Sequence, residues 1–337
     1  MYFIGFFGAR RVIQNEPGPF IGPIATVFGY IIDFIFNAVN AITVYHSLGI
    51  SIILLTIIVR TLMLPLAIKQ QKSMMAMQKL NPEMQKIRAK YPDKKDAQTM
   101  NAEIQKLYAD NKVNPLGGCL PHFIQMPMFF GLSFIMHQSH LYVSRLGALF
   151  SGISEILINN MPRAEFMQTM NEIAVPLAPD RMIRDGELNM TIVSHVNRVL
   201  NAFTSHEWNI LFDRIPAEYL PQVLDLHGQA MAIQTFLGMP LTEATGLGWP
   251  GIMIPILAVL SAVLTSWITM KSSVVTDEKQ KQQQKIMMAV MPVMMGAMTI
   301  GLPAGVGIFW ITSSVYQIGQ QLFMNKKMST ADGTKSS

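Results

Sequence analysis

Charge is scarce in this 337-residue chain: Asp, Glu, Lys and Arg make up 14% of it, against roughly a quarter in soluble globular domains. Half of the residues are hydrophobic. A water-soluble enzyme of this length would carry far more surface charge, so the composition points to a polytopic membrane protein. It also excludes a disordered chain. The single cysteine, Cys119, excludes an internal disulfide framework. A net charge of +5 is too small for a basic surface to drive nucleic-acid binding. The sequence has no HExxH, no GxSxG and no Gly-rich phosphate loop, so no enzyme, metal or cofactor chemistry is expected. Methionine, by contrast, is abundant at 27 residues.

The long apolar runs give the expected fold class, an all-α polytopic membrane protein. Leu48 to Leu66 holds one charge, Arg60; Leu116 to Met136 and Ile252 to Met270 hold none. Ile286 to Met324 is uncharged for 39 positions. As helix that run would be about 58 Å long, close to twice a bilayer core. Leu302-Pro303-Ala304-Gly305 near its middle predicts a tight hairpin of two spans. Five spans follow, at 47–68, 116–137, 251–270, 286–302 and 304–324. Ahead of them lie an N-terminal segment, 1–20, and an apolar helix, 21–46, with a narrow polar stripe of Thr26, Tyr30, Asp33, Asn37 and Asn40. A helix lying in the membrane interface fits this stripe, as does a span whose stripe faces protein; the interfacial arrangement is the preferred reading.

Lys and Arg set the orientation. The 69–115 segment has ten basic residues against five acids, and the 271–285 loop and 325–337 tail are also basic. Together they hold 17 of the 26 Lys and Arg residues and alternate correctly to lie on the inner side. The 138–250 segment has six Arg, no Lys and eleven acids, and belongs outside. Residues 1–9 are apolar but too short for a cleavable signal, and Arg10-Arg11 follow rather than precede them. The expected home is a bacterial plasma membrane, with the 69–115 segment and the C-terminus cytoplasmic.

Within 69–115, Lys69 to Lys90 reads as one helix with Met74, Met77, Met84 and Ile87 along an apolar stripe. Tyr91-Pro92-Asp93 breaks it, and Asp96 to Ala109 reads as a second helix presenting Met100, Ile104 and Leu107. The pair predicts a cytoplasmic helical hairpin. One reading makes it a basic linker resting on anionic lipid. The other makes it a docking arm, because flexible Met side chains accommodate many apolar sequences. Met74, Met77, Met84 and Met100 are its candidate contact residues.

Arg60 lies about six residues inside its span, so roughly 9 Å deep. A cation there costs roughly 2.5–3.5 kcal/mol on insertion scales, and the five spans contain no Asp or Glu to offset it. Asp33 is the one acid in an adjoining apolar stretch. Arg60 either snorkels to inner headgroups or is kept solvated by a hydrated cavity. Polar residues at helical spacing favour the cavity: Ser261 and Thr265 in the third span, Ser313, Gln317 and Gln320 in the fifth, and His122, Gln125 and Ser133 in the second. Each alone would serve as interhelical glue. With an unpaired arginine they suggest a wet, inward-facing groove that attracts negative charge. His137 and His140 read as an interfacial pair rather than a metal site.

Several stretches together resemble the YidC membrane-insertase family, whose wider superfamily includes the Oxa and Alb insertases of organelles. They are Gly49 to Arg60 with Leu64-Pro65-Leu66, Met77-Gln78-Lys79-Leu80-Asn81-Pro82-Glu83, Asn114 to Pro121, Ile124-Gln125-Met126-Pro127-Met128-Phe129, and Pro303 to Trp310. The resemblance covers 20–140 and 236–325 in the right order, and is that of the compact bacterial type. It implies a five-span insertase core, an interfacial helix and a cytoplasmic hairpin. It also implies a hydrophilic groove open to cytoplasm and lipid, through which nascent membrane-protein clients are inserted and helped to fold. Arg60 and Gln125 are carried over as groove residues; Thr265, Ser313 and Gln317 rest on the polar stripes. Implied partners are such clients, the lipid bilayer, the general secretion translocon and the ribosome. The tail lacks the long basic extension through which some relatives bind ribosomes. The sequence departs from the family pattern at 138–250, an outer segment far longer than the compact type carries. There Ile192, Val196, Val199 and Phe203, and then Tyr219, Val223, Ala230 and Ile233, predict amphipathic helices. The competing reading is a small-anion transporter or channel with Arg60 as its binding site, but no internal repeat is evident.

Overall fold

Apolar runs in a bilayer must satisfy their backbone amides internally, and the helix does so within one segment. The computed structural model describes residues 21–91, 96–113, 120–174, 177, 189–271 and 278–333, and these are mostly helical. The early helices are α1 (Ile21–Asn40), α2 (Ser47–Lys79), α3 (Asn81–Lys90), α4 (Ala97–Asp110) and α5 (Leu120–His137). A cluster of shorter ones follows: α6 (Ser139–Tyr142), α7 (Ser144–Asn160), α8 (Arg163–Ala174), α9 (Val193–Asn201), α10 (Ser205–Phe212) and α11 (Leu220–Gln234). After a two-strand antiparallel hairpin, β1 (Thr235–Phe236) and β2 (Met239–Pro240), come α12 (Met253–Lys271), α13 (Glu278–Ile300) and α14 (Ala304–Gly333). The N-terminal segment 1–20 lies outside the described residues. Among those described, Gly22–Asn40 and Ser47–Met77 are long and apolar enough to cross a membrane, and Met253–Ile268 is a shorter apolar helix.

The observed helices run past the expected span ends. Helix α2 does not stop at residue 68 but continues to Lys79, with Pro65 inside it. The break falls at Leu80 instead, dividing the expected 69–90 helix in two. Pro82 stands in the first turn of α3, where its missing N–H is no loss but where it cannot continue α2. Helix α14 likewise continues beyond residue 324, since no proline interrupts it.

The chain forms two compact units: Met1–Thr56, Pro127–Leu257 and Gly296–Trp310 make the first, and Ile57–Met126, Ala258–Met295 and Ile311–Ser337 the second. In the first, α7 is the spine of the 138–250 segment. Its Leu146, Leu149, Phe150, Ile153 and Leu157 are buried at helical spacing. Against them lie Val196, Val199 and Leu200 of α9 and Val223, Ala230 and Ile233 of α11, also buried. Of the residues read as amphipathic stripes, Ile192 is the one left exposed. Trp208 anchors an aromatic cluster, with ring centroids 5.6 Å from Phe203, 5.6 Å from Phe212 and 4.4 Å from His227. Thr204 and Glu207 form a capping box at the start of α10. Asp33 of α1 accepts from the Ser144 backbone N–H at 2.8 Å and the Ser144 hydroxyl at 3.0 Å, placing a carboxylate at the positive end of α7. Its other oxygen accepts from Asn37 at 3.3 Å. The acid that stood out in an apolar run is thus engaged locally.

His140 is buried, its ring edge-on to Phe150 at 6.4 Å. Burial holds its pKa down at about 4; a hydrogen bond with Asn201 partly opposes this, and the charge of Arg198 adds to it. Burial also lowers His227. Unfolded chains bind the imidazole proton near 6.5. The stability tied to a neutral His140 is therefore complete above about pH 6.5 and declines as pH falls toward 4, by roughly 3 kcal/mol in total. Thermal unfolding in detergent between pH 7 and 4.5 should show a shallower pH dependence for His140→Gln than for the unaltered protein; equal slopes would refute this assignment.

The 138–250 segment is tied to several helix ends within this unit. At α2, the His46 backbone N–H donates to Ala232 O at 3.2 Å, and His46 Nδ1–H donates to Thr235 O at 2.8 Å. At the end of α5, Asn201 Nδ2 donates to His137 O at 2.8 Å, and Gln234 reaches Asn201 through Ser139, in two bonds of 3.0 Å. At the α13–α14 turn, Thr245 N and Gly246 N donate to Leu302 O and Ile300 O, while Ala304 N and Gly305 N donate to Glu243 O and Leu241 O, all at 2.8–3.2 Å.

Packing at these same ends is close. Ile52, Leu55, Leu132, Ile135, Met136, Val306 and Phe309 are buried. A Cβ on Gly305 would lie 2.6 Å from Met136 Sδ and 3.1 Å from Ile52 Cδ1, and one on Gly307 only 2.1 Å from Ile254 Cγ2. Glycine lets α14 approach three neighbouring helices at backbone distance.

In the second unit α3 packs on α4. Lys90 meets Glu103 at 2.7 Å and the Tyr91 hydroxyl donates to the same carboxylate at 2.9 Å. These groups are largely exposed, so the pair orients the hairpin more than it stabilises it. Elsewhere this unit exposes apolar side chains that water would not tolerate in such numbers, including Leu62, Leu260, Trp267, Val293 and Phe323. A lipid environment accounts for them.

Candidate functional site

Arg60 stands on α2 with its side chain partly buried. Its Nε is buried without a hydrogen-bond partner, and among the described residues no carboxylate forms an ion pair with it. The next residue, Thr61, donates its hydroxyl to Ile57 O at 2.8 Å and lies 3.1 Å from the Tyr316 hydroxyl of α14. That contact brings α14 beside Arg60, and the Tyr316 phenol is close enough to interact electrostatically with the guanidinium. One turn earlier on the same face, Ser313 is buried with its hydroxyl unpartnered. Gln317 follows Tyr316 but is exposed.

The polar side chains expected around Arg60 are therefore only partly assembled. Ser313 shares with Tyr316 the α14 face that reaches α2. Thr265 and Ser261 turn their hydroxyls to their own helix, at 2.8 Å to Ser261 O and 3.0 Å to Ala258 O. Gln125 is half-buried on α5, and neither it nor Thr265 hydrogen-bonds Arg60 among the described residues. Sequence reading missed Tyr316 and Thr61. The 313, 316, 320 spacing could have pointed to Tyr316, but its aromatic ring counted as apolar. Gln70 was also missed; it is buried on α2 with its amide nitrogen unpartnered.

The hairpin methionines separate in the same way. Met84 is buried between α3 and α4, its sulfur accepting from the Tyr108 hydroxyl at 2.9 Å. It holds the hairpin together in this structure and is not on its surface. Met77 and Met100 are half-buried, and the Met74 side chain lies outside the described residues.

A guanidinium without an ion pair among the described residues, near a neutral phenol, can hold water or an anionic group. Among the described residues no cluster of His, Cys, Asp or Glu could hold a metal ion.

Comparison with known proteins bears on this arrangement. The family described as 60Kd inner membrane protein matches residues 40–331. The membrane protein insertase YidC of Fusobacterium nucleatum is 28% identical over 281 residues, which are 83% of this chain and 87% of that protein. Membrane protein insertase YidC 1 of Lactococcus lactis is 38% identical over 150 residues, 38% of this chain and 56% of the relative. The YidC of Syntrophobacter fumaroxidans is 26% identical over 303 residues, 90% of this chain but 38% of its own length. The family match runs from the end of α1 nearly to the end of α14, so the chain belongs to the 60Kd inner membrane protein family, which is the YidC/Oxa1 family.

Proposed function

We propose that this chain is a membrane protein insertase whose groove is centred on Arg60. The observation that carries this reading is a partly buried guanidinium whose Nε has no partner, with the Tyr316 phenol near enough to interact with it and Tyr316 itself 3.1 Å from the Thr61 hydroxyl. Crossing a bilayer is slow for a polar segment because its backbone and charges must leave water. A hydrated groove part-way through the membrane shortens the dry path. Arg60 attracts acidic residues near the client's translocated end, and burial of the client's apolar helix in lipid supplies the driving force. No nucleotide is required.

In this reading the core has five spans, α1 lies in the interface, the α3–α4 hairpin and C-terminus are cytoplasmic, and 138–250 is extracytoplasmic. The Lys and Arg distribution supports that orientation. Met77 near the end of α2 and Met100 of the hairpin first contact clients. Gln125, Thr265 and Gln317 line the groove when a client occupies it. Clients and lipid are the main partners, with the translocon and ribosome as further ones.

The anion-channel alternative requires polarity along the whole path. Apart from Arg60, the α2 run from Leu48 to Leu66 carries no charge, and the third, fourth and fifth apolar runs carry none, so such a path is not supplied. Site-specific photocrosslinking from position 316 to a stalled nascent membrane protein tests the reading. Adducts from 316 but not from exposed, lipid-facing Leu260 are expected, together with no anion flux in proteoliposomes. Flux without adducts would replace the insertase by the channel.

A further inference from the structure

The 138–250 segment has an uneven surface. Its helices expose charge: Glu155 on α7, Arg163, Glu165 and Glu172 on α8, and Asp225 on α11 are all at the surface. The stretch from Thr235 to Ile252 carries one charged residue, Glu243, whose backbone is already bonded to Ala304. Yet this stretch, poor in charge, exposes large apolar side chains. Leu237, at the tip of the β1–β2 hairpin, is 68% exposed; Leu247 is 68% and Trp249 79% exposed. They are not scattered. The hairpin is fastened to the start of α2, where Phe236 packs on His46 at 5.7 Å and against Gly49. In the α1–α2 connection just before, Ile42 and Tyr45 are 89% and 70% exposed. Trp249 stands four residues before α12, whose Ile256, Leu257 and Leu260 are also exposed.

Ile42 and Tyr45 thus precede α2 along the chain, Leu237 follows Phe236 on the hairpin fastened there, and Leu247 and Trp249 precede α12. Leu, Ile, Trp and Tyr without nearby charge are the residues that settle at the boundary between headgroups and acyl chains. An aqueous domain edge would need charge there.

We propose that the 138–250 segment is a membrane-surface domain. The β1–β2 tip at Leu237 and the Leu247–Trp249 stretch enter the outer leaflet, and the charged helix α8 faces water. Within the same unit, exposed Leu54 of α2 and exposed Ile256 and Leu257 of α12 follow these stretches, and this selects lipid as the occupant. The depth of insertion is independent of insertase activity, while the choice of the outer leaflet rests on the orientation proposed above.

The single native cysteine makes the test direct. In a Cys119→Ser background, a nitroxide is placed at Leu237→Cys, Leu247→Cys or Glu165→Cys, and the full chain is reconstituted in phosphatidylcholine–phosphatidylglycerol vesicles. Oxygen accessibility should exceed nickel-chelate accessibility severalfold at 237 and 247, with the reverse at 165. Nickel access at 237 and 247 equal to that at 165 overturns the proposal. Low access to both reagents also overturns it, since a second copy of the chain would then cover the patch. If labelling disturbs the hairpin, tryptophan quenching by brominated lipids gives a second measurement. Trp249→Phe should remove part of that quenching, and an unchanged quenched fraction refutes lipid contact. An impermeant thiol reagent applied outside cells separates the two readings. Failure to reach Glu165→Cys would overturn the orientation alone, leaving the depth result standing.

Discussion

Arg60→Ala should slow insertion of clients with acidic translocated ends about tenfold, while neutral clients are little affected. The magnitude follows from Coulomb attraction. At an effective dielectric of about 20 and a separation of about 12 Å, two charges attract by about 1.4 kcal/mol, a factor of about ten. Arg60→Lys should retain most of the rate, because it keeps the charge while losing the planar fork. Stability should move the other way. The Nε atom is buried without a partner, so removing the guanidinium relieves a desolvation cost instead of breaking a bond. Arg60→Ala should therefore unfold no more easily than the unaltered protein. Rates of insertion into proteoliposomes, measured with paired acidic and neutral clients beside thermal unfolding in detergent, check both statements. Equal rates across all three proteins would remove the electrostatic part of the mechanism, and a slow, destabilised Arg60→Ala would make the residue structural.

The second large effect is expected at Gly307. In an ordinary helix Gly→Ala is stabilising by propensity, by about 1 kcal/mol. Here the new methyl would meet Ile254 Cγ2 at 2.1 Å in buried surroundings. Overpacking of this kind costs typically 1–3 kcal/mol. Gly307→Ala should lower the unfolding temperature, and Gly307→Ala with Ile254→Ala should recover part of the loss by restoring space. A double-mutant cycle in detergent gives the coupling directly. Additive losses would mean that close approach of α14 to α12 does not depend on the glycine.

Much of the fold was legible because two periodicities dominate the chain. Uninterrupted apolar runs gave the long helices, and 3.6-residue spacing gave α9 and α11 with Val196, Val199, Val223 and Ile233 inward. Arg60 was legible because a lone charge in an apolar run is costly whatever surrounds it. The helix end at Leu80 was misplaced because a basic, Met-rich stretch can continue a membrane helix as readily as begin a new one, and Pro82 decided the matter. Tyr316 was missed because a tyrosine in an apolar run counts as apolar until its hydroxyl finds a partner. Met84 was read as a contact residue because periodicity locates a stripe but not what covers it, and Tyr108 covers it.

The sequence by itself determined that this is a helical membrane protein, which loops are basic, and that one arginine stands in an apolar run without an acid. Those properties depend on composition and local order, which transfer free energies price residue by residue. Only the tertiary structure decided that Asp33 caps α7 and that Tyr316 stands beside Arg60. It alone showed that the unusual 138–250 segment fastens the ends of α2, α5 and the α13–α14 turn. These are contacts between residues as many as 255 positions apart, as in the Thr61–Tyr316 pair, and no local pattern encodes which distant partner a buried polar atom will find.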